Sequence, residues 1–233
     1  MVSVPVDQIA RRSRAPRGSG DLLRDEILDA ATDLLLETGR ATSVSIRSVA
    51  QRVGVTPPSI YLHFADKDAL LDAVCARYFA KLNLEMQRAA EEHTSPVDAL
   101  RAQGHAYIRF ALQTPELYRL ATMSEWRSGR EIDVVLESSA FQHMRATVQA
   151  LADGGVQLRD DPSTIALEFW TAAHGVASML IAKPHLPFGE VEEFADRVFR
   201  SAFIGRAVVG LIGDVSPQEF MAWVGTQTRA EES

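Results

Sequence analysis

Apolar residues recur along most of this chain at the three- and four-residue spacing of amphipathic helices. No segment shows sustained alternation of polar and apolar residues, and no internal repeat is present. The pattern therefore predicts an all-α protein of about nine or ten helices. A first helix is predicted from Leu22 to Thr38, ending at Gly39, and a long helix from about Lys67 to Glu92. The inner face of the long helix carries Leu70, Leu71, Val74, Tyr78, Leu82 and Met86.

Prolines mark most of the later helix starts. A residue with capping ability precedes each of these prolines, in the pairs Ser95-Pro96, Thr114-Pro115, Asp161-Pro162 and Ser216-Pro217. Ser216 also has Glu219 three residues on, as in a capping box. Helices are therefore predicted from residues 96, 115, 162 and 217. Two more are predicted, one from about Glu131 to Ala152, before Gly154-Gly155, and one from near Glu190.

Two short amphipathic helices are predicted around Gly54. The apolar face of the first carries Ile46, Val49, Ala50 and Val53. Gly54 suits a reversal of the backbone, Thr56 is a good N-cap for the second helix, and Pro57 suits its first position. Ile60 and Leu62 are expected to be the buried residues of this second helix. Its other side chains suit the major groove of DNA, so the segment is predicted to be a helix-turn-helix.

The same segment resembles the TetR family of bacterial one-component transcription regulators. The resemblance rests on G-V-T-P-P-S-I-Y-L-H-F, residues 54–64, followed by D-K-D-A-L-L-D-A-V, residues 66–74. A second segment, E-F-W-T-A-A-H-G-V-A-S-M-L at 168–180, looks like the family's subgroup with a Trp-His-Gly ligand domain, and T-P-E-L-Y-R-L at 114–120 fits that subgroup too. We accordingly expect a basic flexible tail (1–20), a three-helix DNA-binding head (21–66) and a helical ligand-binding and dimerisation body (67–233).

The candidate DNA-binding residues are Ser45, Arg47, Thr56, Pro57, Pro58, Ser59, Tyr61, His63 and Lys67. Hydroxyls at helix N-termini, together with Tyr61 and His63, can contact phosphates, although Tyr61 could also be purely structural. Lys67 looks like the family's phosphate-contacting lysine. Arg47 could pair with guanine or contact a phosphate. Base reading would also involve Ser59 and the two prolines, which offer only apolar contacts.

The charge distribution supports a DNA partner for the N-terminal part, although the chain as a whole has a net charge of −7. Residues 1–20 hold four arginines against one aspartate, and residues 40–67 hold three arginines and one lysine against one aspartate, so each segment carries +3. The tail is either a solvated leader or an arm that contacts DNA. The single cysteine, Cys75, is expected to be buried in a protein of the reducing cytoplasm. We expect no membrane segment, since no apolar run of about 18–20 residues stands out, and no signal peptide.

No catalytic constellation or metal-ligand spacing is found in the C-terminal part, so we expect no enzyme activity, metal or cofactor. Aromatic and sulfur-containing residues on the central helices are either core or the lining of a cavity for a small hydrophobic effector. These residues are Tyr107, Phe110, Met123, Trp126, Phe141, Met144, Phe169, Trp170 and Met179. Polar groups that could orient the effector are His174, Tyr107, Gln103 and Arg145.

The helices 162–182 and 190–212 mix small and apolar residues on more than one face. They pack either within one chain or in a two-fold four-helix interface, and the family resemblance favours such a homodimer. The expected function is a ligand-responsive repressor of a (pseudo)palindromic double-stranded DNA operator, with recognition helices about 34–36 Å apart. The mechanism that the resemblance implies is a change between two states, in which an effector would push the helix near 115–128 and shift the long helix. The alternatives are an activator of the same fold, a helical small-molecule enzyme and a protein-interaction module.

Overall fold

The computed structural model describes residues 19–123, 138–156, 158–213 and 215–230. These residues form ten α-helices and one short 3-10 turn, Ala41–Ser43, and they contain no strand, so the prediction of an all-α fold with nine or ten helices is confirmed. The helices are α1 Ser19–Thr38, α2 Ile46–Val53, α3 Pro57–Tyr61, α4 Lys67–Glu91, α5 Pro96–Gln113, α6 Pro115–Met123, α7 Ser139–Asp153, α8 Pro162–Ala182, α9 Val191–Ile212 and α10 Pro217–Ala230.

The chain forms two compact units. Among the described residues, the first unit contains those up to Leu84 and those from Arg109 to Ala140, and the second contains Glu85–Ile108 and those from Phe141 onward. Helices α4 and α5 each contribute residues to both units. The boundary predicted between a DNA-binding head and a ligand-binding body, after residue 66, is a functional division and stays a prediction.

The helix starts predicted at residues 96, 115, 162 and 217 are confirmed, with proline as the first helical residue each time. Asp161 caps α8 by accepting a hydrogen bond from Ser163 N at 2.7 Å, and Ser216 N donates to Glu219 Oε2 at 2.8 Å. Thr114 differs, because its hydroxyl donates back to the Phe110 carbonyl at 3.1 Å instead of capping α6.

Two predicted boundaries differ from the structure or lie outside it. The helix expected from Glu131 begins at Ser139, since Ser138 lies in a bend, and residues 131–137 are outside the described part of the chain. Helix α1 begins at Ser19, within the segment expected to be a tail, and residues 1–18 are also outside the described part.

Helix α1 packs against α2 and α6, and both α1 and α4 contribute buried side chains. The six residues predicted on the inner face of α4 are all buried, and so is Cys75, as expected. Tyr78 packs its ring against Phe110, with centroids 5.0 Å apart, and burial raises the pKa of its phenol well above the ordinary value. An ion pair from Arg77 of α4 to Asp29 of α1 joins the two helices at the surface.

Helix α8 forms the core of the second unit and packs against α9. Its buried residues are Ile165, Ala166, Phe169, Trp170, Ala173, Val176, Ala177 and Leu180. Among the described residues it is the one helix long and apolar enough to cross a membrane, so the expectation that no apolar run reaches that length was wrong. Its hydrophobicity has a simpler cause, since a core helix with neighbours on several sides is apolar on several faces. Arg206 of α9 reinforces the packing through ion pairs with Glu168 and Asp160.

Candidate DNA-binding surface and effector cavity

Helix α2 is held at both ends by hydrogen bonds of its own segment. Ser45 and Ser48 form a capping box, in which Ser48 N donates to Ser45 Oγ at 3.0 Å and Ser45 N donates to Ser48 Oγ at 2.9 Å. At the other end Gly54 adopts a left-handed conformation, with φ 77° and ψ 32°, while Val55 N donates to the Ala50 carbonyl at 2.9 Å. This is a Schellman motif, and it turns the chain sharply into α3.

Helix α3 starts where the sequence predicts, but its N-cap side chain is used differently. Thr56 occupies the N-cap position and Pro57 the first helical position. The Thr56 hydroxyl makes no capping bond, because Pro58 has no N–H to donate and Ser59 N donates to the Thr56 carbonyl at 2.9 Å. Instead the Thr56 and Ser59 hydroxyls lie 3.1 Å apart, so the two form a polar pair at the start of α3.

Two apolar residues fix α3 on the head, and two side chains point outward. Ile60 and Phe64 are buried, whereas Tyr61 is 55% exposed and Leu62 is 84% exposed. The expectation that Leu62 is buried was therefore wrong. Residues two positions apart on an α-helix are separated by about 200° around the helix axis. Leu62 therefore points away from the side on which Ile60 is buried. Leu62 thus adds an apolar side chain to the surface that carries Tyr61.

The cations of this surface fall into two groups. Arg52 is tied to α1, since its guanidinium donates to Glu37 Oε1 and Oε2 at 2.9 and 2.6 Å. The hydrogen bond from Arg52 is the main reason that the pKa of the Glu37 carboxyl lies below its ordinary value. Arg47 is exposed and Lys67 is half-buried, and neither is joined by a hydrogen bond or ion pair to another described residue. Their charges are available to an anion.

Four of the predicted ligand residues come together in the second unit. The Trp170 ring makes edge contacts with Tyr107 and Phe141, with centroids 4.9 and 5.9 Å apart. The Tyr107 hydroxyl lies 3.2 Å from His174 Nδ1. Burial lowers the pKa of the His174 imidazole, which favours its neutral form at neutral pH. These residues form a packed aromatic cluster with a polar pair on one side.

Several other predicted ligand residues are spread over the chain. Phe110 packs on Tyr78 in the first unit, Met123 is 45% exposed at the end of α6, and Met179 is exposed on α8. Trp126 lies outside the described residues. Arg145 is exposed and donates to Gln142 Oε1 at 3.1 Å.

Gln103 is fully buried. Its Nε2 donates to Thr147 Oγ1 at 2.6 Å, and its Oε1 has no hydrogen-bond donor among the described residues.

The second unit also contains an apolar cavity of about 150 Å³. Two of the residues that line it, Met144 and Phe169, belong to the predicted set of ligand residues. The cavity residues that sequence reasoning did not select are Val97, Leu100, Arg101, Gly104, Asp196, Phe199, Arg200 and Phe203. The available signal was the four-residue spacing within the pairs Leu100/Gly104 and Phe199/Phe203, which places each pair on one face of its helix.

Three charged residues, Arg101, Asp196 and Arg200, are part of the cavity lining. The Arg101 guanidinium donates to both oxygens of Asp196, at 2.6 and 2.5 Å, and His105 Nε2 lies 2.7 Å from Asp196 Oδ1. The Arg101 hydrogen bonds, together with the weaker effect of His105, hold the pKa of the Asp196 carboxyl well below its ordinary value. Among the described residues, no group of three His, Cys, Asp or Glu side chains could hold a metal ion.

The geometry of the head defines the class of protein. A capped helix, a glycine turn and a second short helix with outward polar groups form a helix-turn-helix, a DNA-binding element. The comparisons with known proteins agree. Residues 27–74 match the model of bacterial regulatory proteins of the tetR family, and residues 100–202 match the tetracyclin repressor-like C-terminal domain. The chain therefore combines an N-terminal helix-turn-helix domain of the tetR-family type with a tetracyclin repressor-like C-terminal domain.

The curated relatives include a transcriptional repressor and a transcriptional activator. The chain is 26% identical over 141 residues to the tetracycline repressor protein class D of Escherichia coli, covering 60% of this chain and 58% of that protein. It is 28% identical to the transcriptional activator FasR of Mycolicibacterium smegmatis, covering 61% and 60%. The chain thus spans less than two thirds of these curated relatives. A solved protein of unknown function from Rhodococcus sp. RHA1 is 28% identical, with a TM-score of 0.70 over 84% of this chain and all of that one.

Proposed function

We propose that this protein is a cytoplasmic, ligand-responsive transcriptional repressor that binds a (pseudo)palindromic operator in double-stranded DNA as a homodimer. The observation that carries the proposal is the outward surface of the helix-turn-helix. Tyr61 is exposed on α3, Arg47 and Lys67 in the same segment have no partner among the described residues, and Ile60 and Phe64 are buried. Such a surface offers hydrogen-bond donors and positive charge for phosphates, and a short helix for the major groove.

The dimer is supported by exposed apolar side chains on the paired helices α8 and α9. Leu167 and Met179 are exposed on α8, while Ile204, Val209 and Leu211 are exposed on α9. Exposed apolar side chains concentrated on adjoining helices mark a protein interface more often than chance exposure does. A two-fold dimer would place two recognition helices on successive turns of one DNA face, as a palindromic operator requires.

Release by a small, largely hydrophobic effector is supported by the apolar cavity of the second unit. Helix α5 supplies Leu100 and Gly104 to this cavity and continues as one helix to Gln113, and α4 continues from Lys67 to Glu91. An effector that binds one conformation better shifts the population toward it, and these two helices would carry the change to the head. Trp170, His174 and Tyr107 give some support to the Trp-His-Gly subgroup, since they lie together in one cluster.

The test is fluorescence anisotropy of the full-length protein on DNA from upstream of its own gene, across a salt series. We expect specific, salt-sensitive binding that is weakened by Tyr61→Ala and by Lys67→Ala. Lys183→Ala is the control, because Lys183 is an exposed lysine at the end of α8. Non-specific binding to every sequence in a randomised-site selection would overturn the proposal.

Activation is the second candidate, since FasR is named as an activator. In vitro transcription from a promoter that contains the selected operator decides between repression and activation. A fall in transcript level on adding the protein supports repression, whereas a rise supports activation.

A further inference from the structure

The cavity of the second unit has a size, a wall chemistry and a charge that together point to a class of ligand. We propose that it binds a small aromatic monocarboxylate, with the ring inside the cavity and the carboxylate at Arg200. This inference rests on the proposed function, for which it names the class of effector.

The volume limits the occupant to about one ring. An engineered protein cavity of about 150 Å³ lined by apolar side chains binds benzene. The cavity here has about the same volume, 150 Å³. A single six-membered ring with a short substituent therefore fits, whereas much of a long acyl chain or of a fused polycyclic compound would extend beyond the apolar lining.

The walls favour an aromatic ring over an aliphatic one. Three phenyl rings, those of Phe169, Phe199 and Phe203, line the cavity beside Leu100 and Met144. The Phe169 and Phe203 rings are tilted by 31°, with centroids 6.4 Å apart. Rings in such surroundings gain edge-to-face contacts in addition to apolar burial, and a methionine sulfur also contacts aromatic rings favourably.

The charged residues of the cavity lining select the polar group of the ligand. The charges of Arg101 and Asp196 compensate each other, because the guanidinium donates two hydrogen bonds to the carboxylate. His105 Nε2 also contacts Asp196. Arg200 lies one helical turn after Asp196, is exposed, and is joined to no other described residue by a hydrogen bond or ion pair. The cavity lining therefore carries one positive charge, that of Arg200, without a paired anion. A guanidinium pairs best with a planar carboxylate, to which it can donate two parallel hydrogen bonds.

The experiment is isothermal titration calorimetry of the full-length protein with three probes: benzoate, the neutral benzyl alcohol, and octanoate. We expect benzoate to bind about tenfold or more tightly than benzyl alcohol, because a hydrogen bond to a charged group contributes more than a neutral one. Octanoate should bind more weakly than benzoate, since its chain exceeds the cavity.

Variants of Arg200 distinguish the contribution of its charge to benzoate affinity from the contribution of the apolar cavity. Arg200→Gln should reduce benzoate affinity to that of benzyl alcohol. Arg200→Lys keeps the positive charge, so this variant should still bind benzoate more tightly than benzyl alcohol, by a smaller factor than the wild type. Arg197→Gln is the matched control, because Arg197 is an exposed arginine of α9 that does not line the cavity. It should leave benzoate affinity unchanged. Equal affinity for benzoate and benzyl alcohol, tighter binding of octanoate, no binding of any probe, or an Arg200→Gln variant that binds benzoate normally would overturn the inference.

DNA binding distinguishes failure of this inference from failure of the proposed function. If the protein binds a specific operator but not benzoate, the ligand class is wrong and the regulator stands. If benzoate binds as expected but no DNA sequence is preferred, the ligand site stands and the repressor proposal fails.

Discussion

Gly104 of α5 lies directly beneath the ring of Phe199 of α9. A Cβ atom at Gly104 would come within 2.6 Å of Phe199 Cζ and 2.8 Å of Cε2. Only a residue without a side chain allows this approach, and the Phe199 ring is itself buried. The close contact brings the two helices together at the wall of the cavity.

Gly104→Ala is expected to destabilise the protein by about 1–3 kcal/mol, the usual effect of overpacking a core. The ring has to move, and because it lines the cavity, binding of benzoate should weaken as well. Urea denaturation gives the free energy of unfolding. Phe199→Leu removes the atom that collides, so the double variant should be more stable than the sum of the two single effects predicts. Strict additivity would mean that the two residues do not touch as described.

Arg47→Ala is expected to weaken operator binding equally on specific and non-specific DNA. In a helix-turn-helix the first helix crosses the DNA backbone, so Arg47 on α2 is placed for a phosphate rather than for a base. Losing one phosphate contact reduces the slope of log affinity against log salt by about 1. Anisotropy across a salt series measures the slope, with Lys183→Ala as the charge-matched control. A selective loss of affinity for one base pair of the operator would instead assign Arg47 to base reading.

Gly54→Ala is expected to cost about 1–2 kcal/mol, because its φ of 77° lies in the left-handed region. An added Cβ meets no atom within 4 Å, so the effect comes from the backbone conformation alone. Gly54→Asn should cost less, since asparagine tolerates this conformation better. Chemical denaturation gives the order of stability. Equal stability of the glycine, asparagine and alanine proteins would show that the turn adopts another conformation.

Asp196→Asn is expected to lower stability at neutral pH and to remove part of the acid sensitivity. Because the folded-state pKa of Asp196 lies below the ordinary value of about 3.9, its pairing contributes stability that is fully present above that value. This contribution is lost as the pH falls through the folded-state pKa. Denaturation between pH 7 and pH 3 should therefore give a shallower acid decline for the variant.

Asp25→Asn, at an exposed aspartate of α1, serves as the control for this series and should follow the wild-type curve. If the stability curves of Asp196→Asn and the wild type ran parallel throughout, the pairing with Arg101 would not operate in solution.

Local signals explain what could be predicted from the sequence. Proline after a capping residue fixes a helix start within one turn, and a glycine such as Gly54 ends a helix, so α2, α3 and the later starts follow from neighbouring residues alone. The inner face of α4 follows in the same way, from spacing along one helix.

Long-range packing explains what could not be predicted. The cavity lining includes the pair Arg101 and Asp196, which are 95 positions apart, and no periodicity within α5 or α9 indicates that they meet. Arg52 pairs with Glu37 of another helix, so its charge is not available as the pattern suggested. Leu62 is exposed because a five-residue helix buries one side only, and an apolar residue there does not imply burial.

Ile204→Glu is expected to convert the protein to a monomer. Ile204 and Leu211 are seven residues apart on α9, share one face and are 53% and 71% exposed, so a charge between two copies of this face would be buried. Sedimentation velocity should show about twice the 25.6 kDa chain mass for the wild type and one chain mass for the variant. Leu22→Glu, at an exposed leucine of α1, should remain dimeric. Operator affinity should fall with the dimer, because a single recognition helix reads only one half-site. A wild-type protein that sediments as a monomer would contradict both the dimer and the palindromic operator.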